Sequence, residues 1–229
     1  MSPIHPSASV LVALDVPSGE RALELARQLE GHVGGFKVGL ELFCACGPQI
    51  VEQIGPARTF LDLKFHDIPN TVASACRVAA RMGVQIFNVH CLGGLDMMRA
   101  AVDATREVDP NVHLIGVTIL TSHDSDSLSR LGLRESPREA VLRLAELARE
   151  AGLDGVVCSP REILPVRARC GDDFLLVTPG IRPQNSDAGD QRRTLSPREA
   201  LQAGANHLVV GRPITGASDP VAAAKRLFD

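Results

Sequence analysis

The sequence predicts a single (β/α)8 barrel, and three observations lead to this fold class. Short β-branched apolar segments alternate with longer segments of helical periodicity, which is the pattern of parallel βα units. Eight such units can be counted within 229 residues, and no Ser/Gly-rich linker separates them. This length suits one barrel near the small end of the size range. We therefore expect one domain over residues 1–229. An open doubly wound sheet is the alternative, and it would not return its last strand beside the first.

The predicted strands are apolar runs of five to eight residues. They span 10–16, 35–40, 59–65, 84–90, 113–120, 155–159, 175–180 and 207–212. The clearest helix, at 137–152, has apolar residues at spacings of three and four. Ser136 can cap its start, Pro137 suits the first helical position and Gly152 marks its end. A second segment, "SPREALQAG", begins in the same way at Ser196.

Composition and charge exclude several function classes. The net charge of −3 and the pI near 6.2 give no electrostatic reason to expect nucleic-acid binding. No apolar run approaches the roughly 18 residues of a membrane span. The first residues, "MSPIHPSAS", lack the basic and apolar parts of a secretory signal, and the six cysteines show no paired C-x-x-C spacing. We expect a cytoplasmic protein that has neither a nucleic-acid partner nor a membrane partner.

Polar residues concentrate at the carboxyl ends of the predicted strands, where barrel enzymes carry their chemistry. They are Asp15, Lys37, Asp62, Lys64, His90, Thr121, Ser159 and Arg212. Asp62 and Lys64 are two residues apart, so both side chains are expected on one side of strand 3, while Asp67 begins the next loop. A structural ion pair at the strand end is the alternative. It is a costly one, because the desolvation of three ionisable groups can exceed their Coulombic gain.

The segment around these residues carries a specific motif. "DLKFHDIPNT" has the pattern D-x-K-x-x-D-I-x-x-T at Asp62, Lys64, Asp67, Ile68 and Thr71. Around it stand "ALD", "FKVGLELF", "NVHCLGG", "VTILTS", "VTPGIRP", "AGDQRR" and "VVGRPI". With these motifs in this order, the chain resembles the orotidine 5′-phosphate decarboxylases over its full length. Related sugar-phosphate enzymes share D-x-K-x-x-D, whereas the combination with "TPGIR" and "GDQRR" is far more specific.

The resemblance implies cofactor-free decarboxylation of orotidine 5′-phosphate to uridine 5′-phosphate, the last step of de novo pyrimidine nucleotide synthesis. Lys64 would stabilise the charge that develops at C6 and then donate the proton that replaces carbon dioxide. Asp62 would face the departing carboxylate. Lys37 and Asp67 would complete an alternating array of charges that fixes each lysine in place. No bound metal is expected.

The resemblance also implies how the substrate is bound. Asp15 and Lys37 would hold ribose hydroxyls, and Thr121 would contact the amide edge of the pyrimidine. In the family the barrel works as a homodimer with shared active sites, in which Asp67 and Thr71 would enter the neighbouring subunit's site. The role of His90 is left open.

Phosphate binding is expected in the loops after strands 7 and 8, which hold phosphate in many barrels. These loops carry Arg182, Gly211 and Arg212, and the planar guanidinium of Arg212 suits a phosphate. Gln191 lies in segment 183–194, which is rich in Pro, Gly, Ser, Asn and Asp. The resemblance implies that Gln191 reaches the phosphate from a lid that closes over the substrate, and the composition of this segment suits such a lid.

Two other functions remain open from the sequence. A metal-dependent sugar-phosphate decarboxylase or aldolase of the same suprafamily would use the D-x-K-x-x-D residues to hold magnesium. A barrel that binds a nucleotide without catalysis is the alternative from another class. Sensitivity to a chelator separates the first from the decarboxylase, and turnover of orotidine 5′-phosphate excludes the second.

Overall fold

The computed structural model describes residues 6–182 and 195–228, and its eight parallel strands form a closed barrel. The strands are β1 Val10–Ala13, β2 Gly35–Gly39, β3 Thr59–Phe65, β4 Ile86–His90, β5 His113–Val117, β6 Gly155–Val157, β7 Leu175–Thr178 and β8 His207–Val210. Each strand pairs with the next, and Leu11 of β1 pairs with Val209 of β8. This closure confirms the predicted barrel, and the open doubly wound sheet is wrong. The single domain over 1–229 stays a prediction.

Helices follow the strands around the outside of the barrel. They are α1 Gly19–Gln28, α2 Leu40–Cys46, α3 Gln49–Ile54, α4 Pro69–Arg81, α5 Leu95–Val108, α6 Ser125–Arg130, α7 Pro137–Glu150, α8 Ile163–Cys170, α9 Pro197–Gln202, α10 Arg212–Thr215 and α11 Pro220–Lys225. As predicted, Ser136 and Ser196 cap α7 and α9, each in a capping box with a glutamate three residues later. Within the two described ranges, no helix is both long and apolar enough to span a bilayer.

Two apolar clusters stabilise the barrel. The larger one lies between the strands and the helices and includes Val12 of β1, Leu25 of α1 and Leu144 of α7. The smaller one fills the barrel interior. Its buried members are Leu11, Ala13, Phe60, Ile86, Ile115, Val177 and Val209. The interior formed by these residues is therefore a packed core and not a pore.

Several strands end earlier than the apolar pattern predicts. β1 ends at Ala13 and β5 at Val117, yet Leu14 and Ile119 beyond them are still buried. The apolar pattern therefore reports packing, which continues after strand pairing has stopped. As a result, Asp15 and Thr121 lie in the loops that follow the strands.

β3 is irregular where it carries its charged residues. Its register against β4 shifts between Leu61 and Phe65, so the residues from Asp62 to Lys64 lie opposite Asn88 alone. Lys64 has a φ of 54°, in the left-handed region that residues other than glycine rarely occupy. A bulge of this kind redirects side chains. Asp62 and Lys64 lie in this irregular part of the strand, and their side chains contact each other.

Candidate active site

A cavity of about 500 Å³ lies at the carboxyl ends of the strands. Its lining includes eight of the predicted site residues: Asp15, Lys37, Asp62, Lys64, Thr121, Arg182, Gly211 and Arg212. Asp67 and Thr71 are exposed and do not line it. Gln191 and the predicted lid at 183–194 lie outside the described residues. Residues that are far apart in the sequence are thus gathered around one opening.

Four of these side chains form a row of alternating charge. Lys37 Nζ donates to Asp15 Oδ1 at 2.7 Å and lies 3.7 Å from Asp62 Oδ2. Lys64 Nζ donates to Asp62 Oδ1 at 2.6 Å. The Lys37 side chain is only 8% exposed, whereas that of Asp15 is 56% exposed. The row therefore runs from the solvent at Asp15 through a buried centre to Lys64.

Neighbouring strands bring the row together. Asp15 follows β1, Lys37 belongs to β2, and both Asp62 and Lys64 belong to β3. Gly39, at the end of β2, leaves the necessary space. A Cβ at this position would lie 2.7 Å from Lys37 Nζ and 2.8 Å from Asp15 Oδ1, closer than real Cβ contacts come.

Sequence reasoning missed Asn88 on β4, a polar residue that contacts this row. It is fully buried, its Nδ2 donates to Asp62 Oδ1 at 2.7 Å, and its Oδ1 accepts from the backbone N–H of Lys64 at 2.8 Å. The available signal was an amide side chain within the apolar run "IFNV" of a predicted strand. A buried amide needs partners, so its position next to a charged strand is informative.

Comparison with known proteins gives the family of this barrel. A family model described as "Orotidine 5'-phosphate decarboxylase / HUMPS family" matches residues 8–227. The chain belongs to this family. The resemblance predicted from "DLKFHDIPNT" and the motifs around it is therefore confirmed.

Members of the orotidine 5′-phosphate decarboxylase / HUMPS family resemble the chain over almost its whole length. The orotidine 5′-phosphate decarboxylase of Alkalilimnicola ehrlichii is 55% identical over 220 residues, which cover 95% of this chain and 94% of the relative. That of Hydrogenovibrio crunogenus is 52% identical over 221 residues, with 96% and 94% covered. A crystal structure of orotidine 5′-phosphate decarboxylase from Lactobacillus acidophilus has a TM-score of 0.82 at 39% identity, covering 95% of this chain and 96% of that chain.

Asp62, in the middle of the row, is ionised. Burial alone would raise the pKa of Asp62, but the charges of Lys37 and Lys64 outweigh this effect. Hydrogen bonds from Lys64 and Asn88 lower the pKa further, so the value lies below its ordinary range. Asp62 therefore presents a negative charge to the cavity at neutral pH.

His90, whose role the sequence left open, ends β4 beside this row. Its ring lies 5.6 Å from that of His66, centroid to centroid. Burial, followed by the charges of His66, Lys64 and His123, lowers the pKa of His90 to about 4. Its Nδ1 is buried without a hydrogen-bond partner among the described residues. His90 is therefore a neutral imidazole at neutral pH.

The second aspartate of the motif, Asp67, forms no ion pair with the row. Asp67 is exposed, and its Oδ1 accepts from the backbone N–H of Ile68 at 2.6 Å. Among the ion pairs found in residues 6–182 and 195–228, none involves Asp67.

Exposed apolar side chains follow three neighbouring strands. Ile68, after β3, is 66% exposed, and Leu40 and Leu92, which follow β2 and β4, are 53% and 41% exposed.

Proposed function

We propose that this chain decarboxylates orotidine 5′-phosphate to uridine 5′-phosphate without a cofactor, the last step of de novo pyrimidine nucleotide synthesis. The observation that carries the proposal is the row Asp15, Lys37, Asp62 and Lys64 at the wall of the cavity. The chain's close relatives bear the name of this enzyme. A cytoplasmic location, as expected from the sequence, is part of the proposal.

Lys64 carries the chemical step in this proposal. The bond between C6 and the carboxylate breaks, carbon dioxide leaves, and the electron pair remains on C6. The ammonium of Lys64 stabilises that charge and then transfers a proton to C6, and solvent later returns a proton to the amine. Its hydrogen bond to Asp62 fixes the ammonium before the substrate arrives, so little reorganisation is needed during the reaction.

Asp62 faces the departing carboxylate. Two like charges about 4 Å apart repel by about 4 kcal/mol at an effective dielectric constant near 20. This repulsion disappears as the substrate carboxylate becomes neutral carbon dioxide, so it favours the transition state over the ground state. The lowered pKa of Asp62 supports this role, because it keeps the group ionised when a second carboxylate approaches.

The opposite side of the barrel provides the phosphate site. Arg182 and Arg212 follow β7 and β8 and line the cavity across from β3. At Gly211 the nearest atom to an added Cβ would be Ala13 Cβ at 3.5 Å, an ordinary contact, so packing within the chain does not require glycine. A glycine at this position also lets a phosphate approach the backbone closely.

The remaining substrate contacts lie between these two ends. Thr121 lines the cavity after β5 and contacts the amide edge of the pyrimidine. Lys37 donates a hydrogen bond to Asp15, and these two residues at the start of the row hold the ribose hydroxyls. Gln191, which lies outside the described residues, closes over the phosphate as part of the predicted lid at 183–194.

A homodimer with shared active sites completes the proposal. Asp67 and Thr71 are exposed, which leaves both free to enter a neighbouring subunit's site. Leu40, Ile68 and Leu92 follow three adjacent strands, and exposed apolar side chains grouped in this way mark interaction surfaces. In the dimer each site takes Asp62 and Lys64 from one subunit and Asp67 from the other.

The decisive assay follows the absorbance of orotidine 5′-phosphate after addition of enzyme, with and without EDTA. We expect equal turnover in both, because both oxygens of Asp62 already face ammonium or amide groups. Inhibition by EDTA that magnesium restores would favour the metal-dependent sugar-phosphate enzyme. A stable absorbance would leave only the non-catalytic nucleotide-binding barrel or another substrate.

A further inference from the structure

Asn88 contacts both members of the charge pair on β3 from the neighbouring strand. Its amide nitrogen donates to Asp62 Oδ1 at 2.7 Å, and its amide oxygen accepts from the backbone N–H of Lys64 at 2.8 Å. The side chain is fully buried and does not line the cavity. A single amide thus uses its donor on the carboxylate and its acceptor on the lysine backbone.

The hydrogen bond from the Lys64 backbone N–H to Asn88 replaces a strand-to-strand hydrogen bond that the bulge removes. Since Asp62 to Lys64 lie opposite Asn88 alone, the N–H of Lys64 has no regular partner in the ladder to β4. The left-handed φ of Lys64 is unfavourable for a residue other than glycine and persists only where the surroundings hold it. The amide oxygen of Asn88 supplies the acceptor that holds this conformation.

The contact to the carboxylate determines how Asp62 is oriented. Asn88 and Lys64 both donate to Oδ1, which leaves Oδ2 on the side of Lys37. Because the amide is neutral, it donates without adding a charge to the row. A leucine of similar size would offer neither the donor nor the acceptor.

We propose that Asn88 is a positioning residue for the decarboxylation, which holds the Lys64 backbone in the bulge and orients the Asp62 carboxylate. The inference rests on the proposed function, because it concerns the groups that act there. Asn88 acts through these two residues and not on the substrate.

Two variants separate the two contacts. Asn88→Ala removes both of them, and we expect kcat/KM to fall about 100-fold, the size of effect that a misplacement near 1 Å can have. The dissociation constant of uridine 5′-phosphate should stay near the wild-type value, since phosphate and base contacts are unchanged. Asn88→Asp keeps the size of the side chain and the oxygen that accepts from the Lys64 backbone. It can donate to Asp62 only when the new carboxyl group is protonated.

The pH profile of Asn88→Asp distinguishes positioning from packing. Two carboxyl groups at hydrogen-bond distance share one proton, which is lost as the pH rises. The ratio of variant to wild-type kcat/KM should therefore increase toward acidic pH and decrease toward alkaline pH. A side chain that only filled space would give a ratio independent of pH.

Thr105→Val is the matched control, because it also removes a fully buried side-chain hydrogen bond, from Thr105 Oγ1 to the carbonyl of Ala101 in α5. It should lower the melting temperature and leave kcat/KM unchanged. If both Asn88 variants keep wild-type kcat/KM at every pH while the wild type is active, the inference is overturned. An inactive wild type would instead refute the proposed function.

Hydrogen exchange of the unaltered protein tests the inference even if the variants do not fold. The backbone amide of Lys64 should exchange slowly, although it lies outside the regular ladder, because Asn88 accepts its hydrogen bond. Exchange at the rate of an unprotected amide would overturn the inference. Slow exchange that becomes fast in a folded Asn88→Ala variant would support it directly.

Discussion

The ammonium of Lys64 lies 2.6 Å from Oδ1 of Asp62, and the two residues are joined across a bulge in β3. Lys37 and Lys64 both line the cavity, and of these two Lys64 donates the hydrogen bond to Asp62. The two residues have different roles in the proposed reaction, since Asp62 repels the substrate carboxylate and Lys64 attracts the charge left on C6.

Lys64→Ala should abolish turnover and leave the fold intact. The substitution removes both the stabilising charge and the proton donor, so kcat should fall on the order of 10³-fold or more. Asp62 keeps its contacts to Asn88 and Lys37, and circular dichroism and binding of uridine 5′-phosphate should stay close to wild type. The chain has three lysines, and Lys225→Ala, at the exposed end of α11, is the control. Near-normal turnover in Lys64→Ala would refute the mechanism.

Gly39→Ala should impair catalysis more than stability. The new Cβ would displace Lys37 Nζ and Asp15 Oδ1, which are the mobile ends of their side chains, so the barrel can keep its fold. Displacement of this pair should lower kcat/KM about 100-fold. Gly31→Ala should show the opposite pattern. Its φ is +74° and no atom lies within 4 Å of the added Cβ, so it should cost about 1 kcal/mol of stability and no activity.

Acid should destabilise the protein partly through His90. Its pKa is lowered from 6.5 to about 4 in the folded chain, so the unfolded chain binds more protons between these values. This contribution to stability is complete above pH 6.5 and is lost as the pH falls toward 4. His90→Phe keeps a ring but cannot titrate, so its free energy of unfolding, measured in urea, should depend less steeply on pH between 7 and 4.5.

Part of this pH dependence should survive in His90→Phe. Burial and the charge of His113 also lower the pKa of His207, which begins β8 at the other end of the barrel. The unfolding experiments need one fixed chain concentration, because dimerisation would shift the apparent stability. Identical pH dependence in variant and wild type would show that His90 does not contribute.

Mixed dimers test the shared site. Lys64→Ala and Asp67→Ala should each be inactive alone. After subunit exchange, a hybrid dimer should contain one site with both lesions and one intact site, which takes Lys64 and Asp67 from different chains. Activity should recover toward one working site per hybrid dimer. If exchange is verified by mass spectrometry and no activity returns, each chain builds its own site.

The strands and the family could be predicted because their signals are local. Apolar runs mark the strands, and "DLKFHDIPNT" carries a motif that needs no knowledge of the fold. The strand ends were placed too late, as at Ala13 and Val117, because burial extends beyond pairing. The bulge and the role of Asn88 could not be predicted. They depend on the register between β3 and β4, a relation between distant segments that no single run of residues reports.

The left-handed lysine of β3 has a consequence for transplanting this chemistry. Grafting an aspartate and a lysine at the same spacing onto a regular strand of another barrel would copy the residue types without the path of the chain. The host would need a strand of matching irregularity and an amide on the adjacent strand to receive the free N–H. The minimal portable unit is therefore a pair of strands, Thr59–Phe65 with Ile86–His90, and not the ten-letter motif.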